Sequence, residues 1–261
     1  MPKLKDIATV IEEFAPKALQ ELYDNTGLQV GDPEMEVSAA LLCLDVTEDL
    51  IEEAQRRHCN LIISHHPLLF KGLKQITGST SAQRIVIKAI KHNIAIYSAH
   101  TNLDSVWEGV SHEMAHMLHI ADIKVLIPKP GNESAGLGII GTIQPVPKIE
   151  FLRKVKDTFN VKCLRYSSQS PQLVVRRVAV CGGAGASFIK DAIAAGADII
   201  VTGDVKYHDF TEYGTEIIIA DIGHYESELC TAKIFSRILR EKFPDFVIYF
   251  SEKEANPVKF M

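Results

Sequence analysis

Leu61-Ile62-Ile63-Ser64-His65-His66-Pro67 is a short apolar run that ends on two histidines and a proline. Its length and proline stop fit a strand buried on both faces, the kind found inside parallel sheets. Upstream, residues 39–44 (AALLCL) form another β-like run, and 48–57 carry helical spacing. Downstream, 82–91 read as a helix and 94–98 (IAIYS) as a strand. Strand, helix and strand in that order make a βαβ unit with a right-handed crossover, so the fold class is α/β. A helix over 110–118 follows.

Residues 127–134 (IPKPGNES) concentrate Pro, Gly, Asn and Ser and make the best candidate for a domain boundary. Beyond them the pattern predicts strands at 137–143, 161–166, 178–181 and 199–202, helices at 149–159 and 187–195, and a polar loop over Ser167–Gln172. That β-α-β-β-α-β order permits a split-βαβ sandwich. A strand at 216–220, a helix over 225–242 and a last strand at 247–250 complete the chain. Two α/β domains with a mainly parallel core sheet are expected. The first is discontinuous, 1–126 together with 217–261, and holds the metal ligands. The second, 127–216, is inserted in the first and covers the site.

At 261 residues, 46% hydrophobic and 23% charged, the composition is that of a globular protein. A net charge of −5 offers no general attraction to nucleic acid or to an anionic membrane. Cys43, Cys59, Cys163, Cys181 and Cys230 are scattered and odd in number, which fits reduced thiols rather than a disulfide framework. The N-terminal MPKLKDIATVIEEFAP lacks the continuous apolar core of a signal peptide. No apolar run reaches the roughly 20 residues of a membrane span. A cytoplasmic location is expected.

Three clusters carry metal-binding chemistry, each just past a strand. His65 and His66 lie where a strand ends, so neighbouring imidazoles can splay toward two nearby points, as two metal ions would require. Alone, the pair also fits one core histidine beside one exposed one. His100-Thr101-Asn102-Leu103-Asp104 follows the strand at 94–98. The parallel topology brings this loop beside the first, at the sheet end where α/β proteins bind ligands. Asp104 there could bridge two ions, or could simply cap the next helix. In Asp221-Ile222-Gly223-His224-Tyr225-Glu226-Ser227-Glu228, His224 and Glu228 stand at i and i+4 on one helical face. The plain alternative is an acid-rich helix start that suits the dipole. Imidazole and carboxylate donors together suit Zn, Fe, Mn or Ni, and two divalent ions per chain are expected.

His112-Glu113-Met114-Ala115-His116 matches the H-E-x-x-H of zinc proteases. Val110, Met114, Met117 and Leu118 form one stripe, however, and His112, His116 and His119 the opposite one, so this is read as a surface helix with a wet histidine face. Cys181-Gly182-Gly183-Ala184-Gly185-Ala186-Ser187 joins strand to helix. Gly183 and Gly185 could offer backbone N–H groups to an anion, or serve only tight packing. Asp204 and His208 in Thr202-Gly203-Asp204-Val205-Lys206-Tyr207-His208 are candidate acid–base groups, or part of a capped helix start.

Taken in order, Asp24-Asn25-Thr26-Gly27-Leu28-Gln29-Val30-Gly31, Ser64–Pro67, Thr101–Asp104, Gly182–Gly185, Thr202–His208 and Gly223–Glu228 resemble the Nif-three-like (Ngg-interacting-factor-like) family, also catalogued as GTP cyclohydrolase I type 2 homologues. The resemblance runs nearly end to end. It implies two α/β domains around a dinuclear metal centre, assembled as a toroidal homohexamer. The ligand positions it implies are His65, His66, Asp104, His224 and Glu228, in a short form without the extra domain of longer members. Tyr23 stands where that family often has Trp. Three functions are compatible: a metal-dependent hydrolase on a nucleotide-like or phosphorylated small molecule, ring hydrolysis of the GTP cyclohydrolase type, or a non-catalytic metal-binding scaffold or partner-binding ring.

Overall fold

The computed structural model describes residues 1–168, 170–171 and 173–261. Of the polar loop expected over Ser167–Gln172, Gln169 and Gln172 lie outside the described residues. In chain order the elements are α1 (Leu4–Phe14), β1 (Gly27–Val30), β2 (Ala39–Cys43), α2 (Glu48–Arg56), β3 (Leu61–Ser64), α3 (Ser81–Lys91), β4 (Ala95–Ser98), α4 (Thr101–Ser105), α5 (Val110–Met117), β5 (Ala121–Lys129), β6 (Asn132–Pro147), α6 (Lys148–Thr158), β7 (Arg165–Tyr166), β8 (Val174–Val180), α7 (Ile189–Ala194), β9 (Ile199–Thr202), α8 (Tyr207–Tyr213), β10 (Ile218–Asp221), α9 (His224–Glu228), α10 (Thr231–Lys242) and β11 (Val247–Phe250). They form an α/β protein with two sheets. No helix among the described residues is long and apolar enough to cross a membrane.

The chain divides into two compact units. Met1–Leu103 with Thr231–Ala255 makes the first, and Asp104–Cys230 with Asn256–Met261 the second. The division falls within α4, again between α9 and α10, and a third time between Ala255 and Asn256. Both expected boundaries lie inside the second unit, because β5 and β10 belong to the same sheet as β6, β8 and β9. The candidate boundary at 127–134 covers the end of β5, the hairpin turn and the start of β6, with Lys129 paired to Asn132.

In the first unit the sheet order is β1-β4-β3-β2-β11. The strands β4, β3, β2 and β11 run parallel, and β1 is antiparallel to β4. Leu41, Cys43, Ile62 and Ile96 pack with Leu50, Ile51, Ile85 and Val86 of α2 and α3. Leu42, Ile63 and Tyr97, on the alternate face, are buried as well, so these strands read as continuous apolar runs. Thr47 and Thr80 cap α2 and α3 through their side-chain oxygens. Cys43 pairs with Ser64 and Ser64 with Ser98, which aligns the ends of three parallel strands.

In the second unit the order is β5-β6-β8-β9-β10-β7. The strands β8, β9 and β10 are parallel, and the remaining pairings are antiparallel. The permitted split-βαβ arrangement does not form. It would separate β8 from β9, whereas here they are adjacent, and β7 sits at the far edge beside β10. Ile140, Ala179, Ile200 and Ile219 pack against Ile189 and Ala192 of α7. Again the parallel strand ends are in line, Val180 with Val201 and Thr202 with Asp221.

Candidate metal centre

In the first unit the aligned strand ends deliver Asp45 after β2, His65 and His66 after β3, and His100 after β4. The turn is held by main-chain bonds. The N–H groups of His65 and His66 donate to Cys43 and Leu44 carbonyls at 3.2 and 2.9 Å. Ser64 Oγ donates to the His66 carbonyl and shares a hydrogen bond with Ser98 Oγ, each at 2.8 Å. His65 is fully buried, and its Nδ1 donates to the Ala99 carbonyl at 2.9 Å. A carbonyl can only accept, so the proton sits on Nδ1 and Nε2 keeps a lone pair. His66 Nδ1 meets Asp45 Oδ1 at 2.8 Å, and His100 Nδ1 meets Asp24 Oδ1 at 2.8 Å. A ring nitrogen from each of His65, His66 and His100 lies within 4.8 Å of the others, close enough to share one ion.

In the second unit the strand ends carry Gly182 and Gly183 after β8, Asp204 after β9 and His224 after β10. His224 Nε2 stands 3.0 Å from Glu228 Oε2, the i, i+4 pair expected from sequence. His224 Nδ1 stands 2.8 Å from Asp204 Oδ2. Burial opposes a charge on His224, but its bonds to Glu228 and Asp204 outweigh that and push its pKa up to about 9. A proton held between two carboxylates is what a cation would displace. Carboxylate oxygens of Asp104 and Glu228 lie within 4.8 Å of one another. Burial pushes the Cys181 thiol pKa up, and the nearby charges of Asp104 and Glu228 add to it.

The backbone explains the glycines. Gly183 has φ +63, and a Cβ there would collide with Glu228 Oε1. A Cβ on Gly203 would meet the His224 backbone nitrogen at 2.7 Å. The anion role expected of Gly183 and Gly185 does not fit. Gly183 N–H donates to Ser227 Oγ and Gly185 N–H to Thr202 Oγ1, each at 2.9 Å, so neither is free to hold a ligand. These glycines serve close packing around Glu228 and Thr202.

The five expected ligands thus fall into two groups: His65 and His66 in the first unit, Asp104, His224 and Glu228 in the second. Asp204 is engaged by His224 rather than free as a proton carrier. His208 lies exposed with its ring edge-on to Tyr207, and joins no cluster of three or more donor residues among the described residues. On α5 the apolar stripe is buried at Val110, Met114 and Leu118, while His116 and His119 are exposed. His112 is half-buried against Trp107, with ring centroids 5.3 Å apart. His100, Asp24 and Asp45 escaped the sequence reading as functional residues. The available signal was position: each of His100 and Asp45 follows a parallel strand by two residues.

Imidazoles whose Nδ1 is held by a carboxylate or carbonyl, with Nε2 turned to a neighbouring donor, are arranged as metal-binding histidines are. The class is therefore an α/β protein with clustered imidazole and carboxylate donors at its parallel strand ends. More particularly, the chain belongs to the Duf34/NIF3 (NGG1p interacting factor 3) family, whose model matches residues 2–257. It is 38% identical to the "GTP cyclohydrolase 1 type 2 homolog" of Clostridium perfringens, over 99% of this chain and 100% of that one. It is 30% identical to "NIF3-like protein 1" of Drosophila melanogaster, over 98% of this chain and 88% of that one. A solved Bacillus cereus protein related to NIF3 superposes with TM-score 0.93 at 26% identity, covering 100% and 99% of the two chains. Reduced HcgD from Methanocaldococcus jannaschii gives 0.82 at 29% identity, covering 96% and 98%.

Proposed function

We propose that this protein is a metal-dependent hydrolase with a dinuclear divalent-metal centre held by His65, His66, Asp104, His224 and Glu228. The observation that carries it is the bonding of the imidazoles. His65, His66 and His224 each commit Nδ1 to an acceptor at 2.8–2.9 Å, the orientation in which metal-binding imidazoles present Nε2 to the ion, and His224 Nε2 stands 3.0 Å from the Glu228 carboxylate. Each unit's donor set is short of what two ions need, and Asp104 follows His100 by only four positions along the chain. Divalent ions at such donors lower the pKa of water and polarise phosphoryl or carbonyl oxygens. In this chain Ala99, Asp45 and Asp204 orient the ligating rings, and His208 is the candidate proton donor. A nucleotide-like or phosphorylated substrate is supported by the affinity of such ions for phosphoryl oxygen, not by the glycine loop, whose N–H groups are already used.

The names of the bacterial relatives favour a second reading, ring hydrolysis of GTP. One experiment separates the readings: metal-replete protein assayed against phosphoesters, nucleotides including GTP, and cyclic amides. Phosphate or alcohol release supports the first, and formate release from GTP the second. No turnover on any substrate would leave a metal-binding scaffold as the better account. A toroidal homohexamer in the cytoplasm is the expected setting, and light scattering of the purified protein tests the assembly.

A further inference from the structure

The Asp24–Gly31 motif supplies no ligand to the proposed centre, yet three of its side chains tie two neighbouring loops in place. Asp24 accepts the Thr101 N–H at 3.0 Å and holds His100 Nδ1 at 2.8 Å. Asn25 Nδ2 donates to the Leu69 carbonyl at 2.8 Å, and Gln29 Oε1 accepts the Leu69 N–H at 3.2 Å. Gln29 Nε2 donates back to the Asn25 carbonyl at 2.8 Å, so the two amides brace each other. Both main-chain polar groups of Leu69 are thus bound from the motif, and this fixes the residues at its flanks. Tyr23 precedes the motif and Phe70 follows Leu69. Their rings meet with centroids 6.3 Å apart at a tilt of 59°. Tyr23 is nevertheless 64% exposed and Phe70 44%. Adjoining exposed apolar side chains, unlike single ones, mark a binding surface. The position of this pair says what it binds. The Phe70 ring lies edge-on to His100 at 6.2 Å, and His100 lies 5.5 Å from His66. The pair therefore adjoins the strand ends of the first unit, two ring contacts from a proposed metal ligand.

We propose that Tyr23 and Phe70 form a stacking ledge for the planar ring of the substrate, a purine-like heterocycle whose phosphoryl end is left for the proposed metal ions. This rests on the nucleotide-like reading above and deepens it by naming the residues that select the ring. Aromatic side chains stack on heterocycles by dispersion and by the match of their π-faces, with little regard to which base is present. An aliphatic phosphoester has no such face to offer. The ledge accordingly separates ring-bearing phosphates from ring-free ones.

The test titrates the full zinc-loaded chain by calorimetry with GMP and with ribose 5-phosphate, which share a sugar phosphate and differ by the base. Wild type should bind GMP more tightly by about 5–100-fold, the range for one stacked base. Phe70→Ala and Tyr23→Ala should each remove most of that preference and leave the affinity for ribose 5-phosphate as it was. Phe70→Tyr and Tyr23→Phe, which keep the rings, should retain it. Equal affinity of wild type for the two probes overturns the proposal, as does a preference that survives both alanine substitutions. If those substitutions lower the oligomeric state by light scattering and leave the preference intact, the pair is a contact between copies of the chain and the proposal falls. If neither probe binds, saturation-transfer NMR of the metal-stripped chain with guanosine decides: a signal that Phe70→Ala abolishes supports the ledge, and no signal overturns it. Absence of turnover with the ring preference intact is a different failure, that of the hydrolase reading alone.

Discussion

Asp204 has φ +54, directly after the glycine that lets β9 approach the His224 turn. A non-glycine residue in the left-handed region costs free energy, and such strain is kept where surrounding structure demands it. Here it aims the carboxylate at His224 Nδ1. Asp204→Ala should therefore act on metal retention, weakening it about 10–100-fold as loss of a ligand-orienting group does. His208→Ala should leave metal content intact and lower turnover by about 10²–10⁴-fold, the range for a lost acid–base group. Elemental analysis with steady-state assays on both variants separates the roles. Metal loss in His208→Ala, or full metal retention in Asp204→Ala, would reverse the assignment. The sequence showed both residues as polar and strand-terminal. It could not show which one points at an imidazole, because that depends on how closely Gly203 lets two backbones approach.

At the level of elements, the parallel strands and their donor loops were legible because buried strands are short apolar runs with abrupt polar ends. Two strands were not. β5 is an edge strand in which only Val125 is buried, with an irregular register between Ala121 and Lys124. β1 lies within D-N-T-G-L-Q-V-G, whose glycines and amides read as loop. The helix expected over 225–242 breaks into α9 and α10 around Leu229 and Cys230, where no Gly or Pro signals an end. The last element, β11, illustrates a tie invisible to pattern. Glu53 on α2 is fully buried and accepts from Ser251 Oγ, the Glu252 and Lys253 N–H groups and Arg57 Nε at 2.7–3.1 Å. Just beyond, Glu254 accepts the Leu44 and Asp45 N–H groups, so the same segment steadies the loop that holds His66. Burial disfavours the Glu53 charge, but these bonds outweigh it and lower its pKa. A lowered folded-state pKa contributes stability at neutral pH that is lost as pH falls through the carboxylate range. Glu53→Ala should cost about 1–3 kcal/mol, since it strands several donors. Its urea midpoint should also vary less than wild type between neutral and acid pH. Equal acid sensitivity in the two proteins would show that Glu53 is not the responsible group.

At the scale of the whole molecule, the chain leaves its first unit after Leu103, returns to it at Thr231 and enters the second again at Asn256. The proposed ligands are His65 and His66 of the first unit and Asp104, His224 and Glu228 of the second. A ligand that binds only the folded protein stabilises it by RT ln(1 + [L]/Kd), about 2.7 kcal/mol at one hundred times Kd. For a chain of this size each kcal/mol moves the melting temperature by about 2–4 °C. Metal-replete protein should accordingly melt roughly 5–10 °C above chelated protein. Substitutions in either unit should cut into that difference, because proposed ligands come from each. His65→Ala removes a donor of the first unit and Glu228→Ala one of the second, and each should lose a clear part of the shift. Scanning calorimetry of the three proteins, with and without chelator, reads all of this directly. A shift that survives in full in Glu228→Ala would place the metals in the first unit alone. One that survives in full in His65→Ala would exclude the strand-end histidines from the centre.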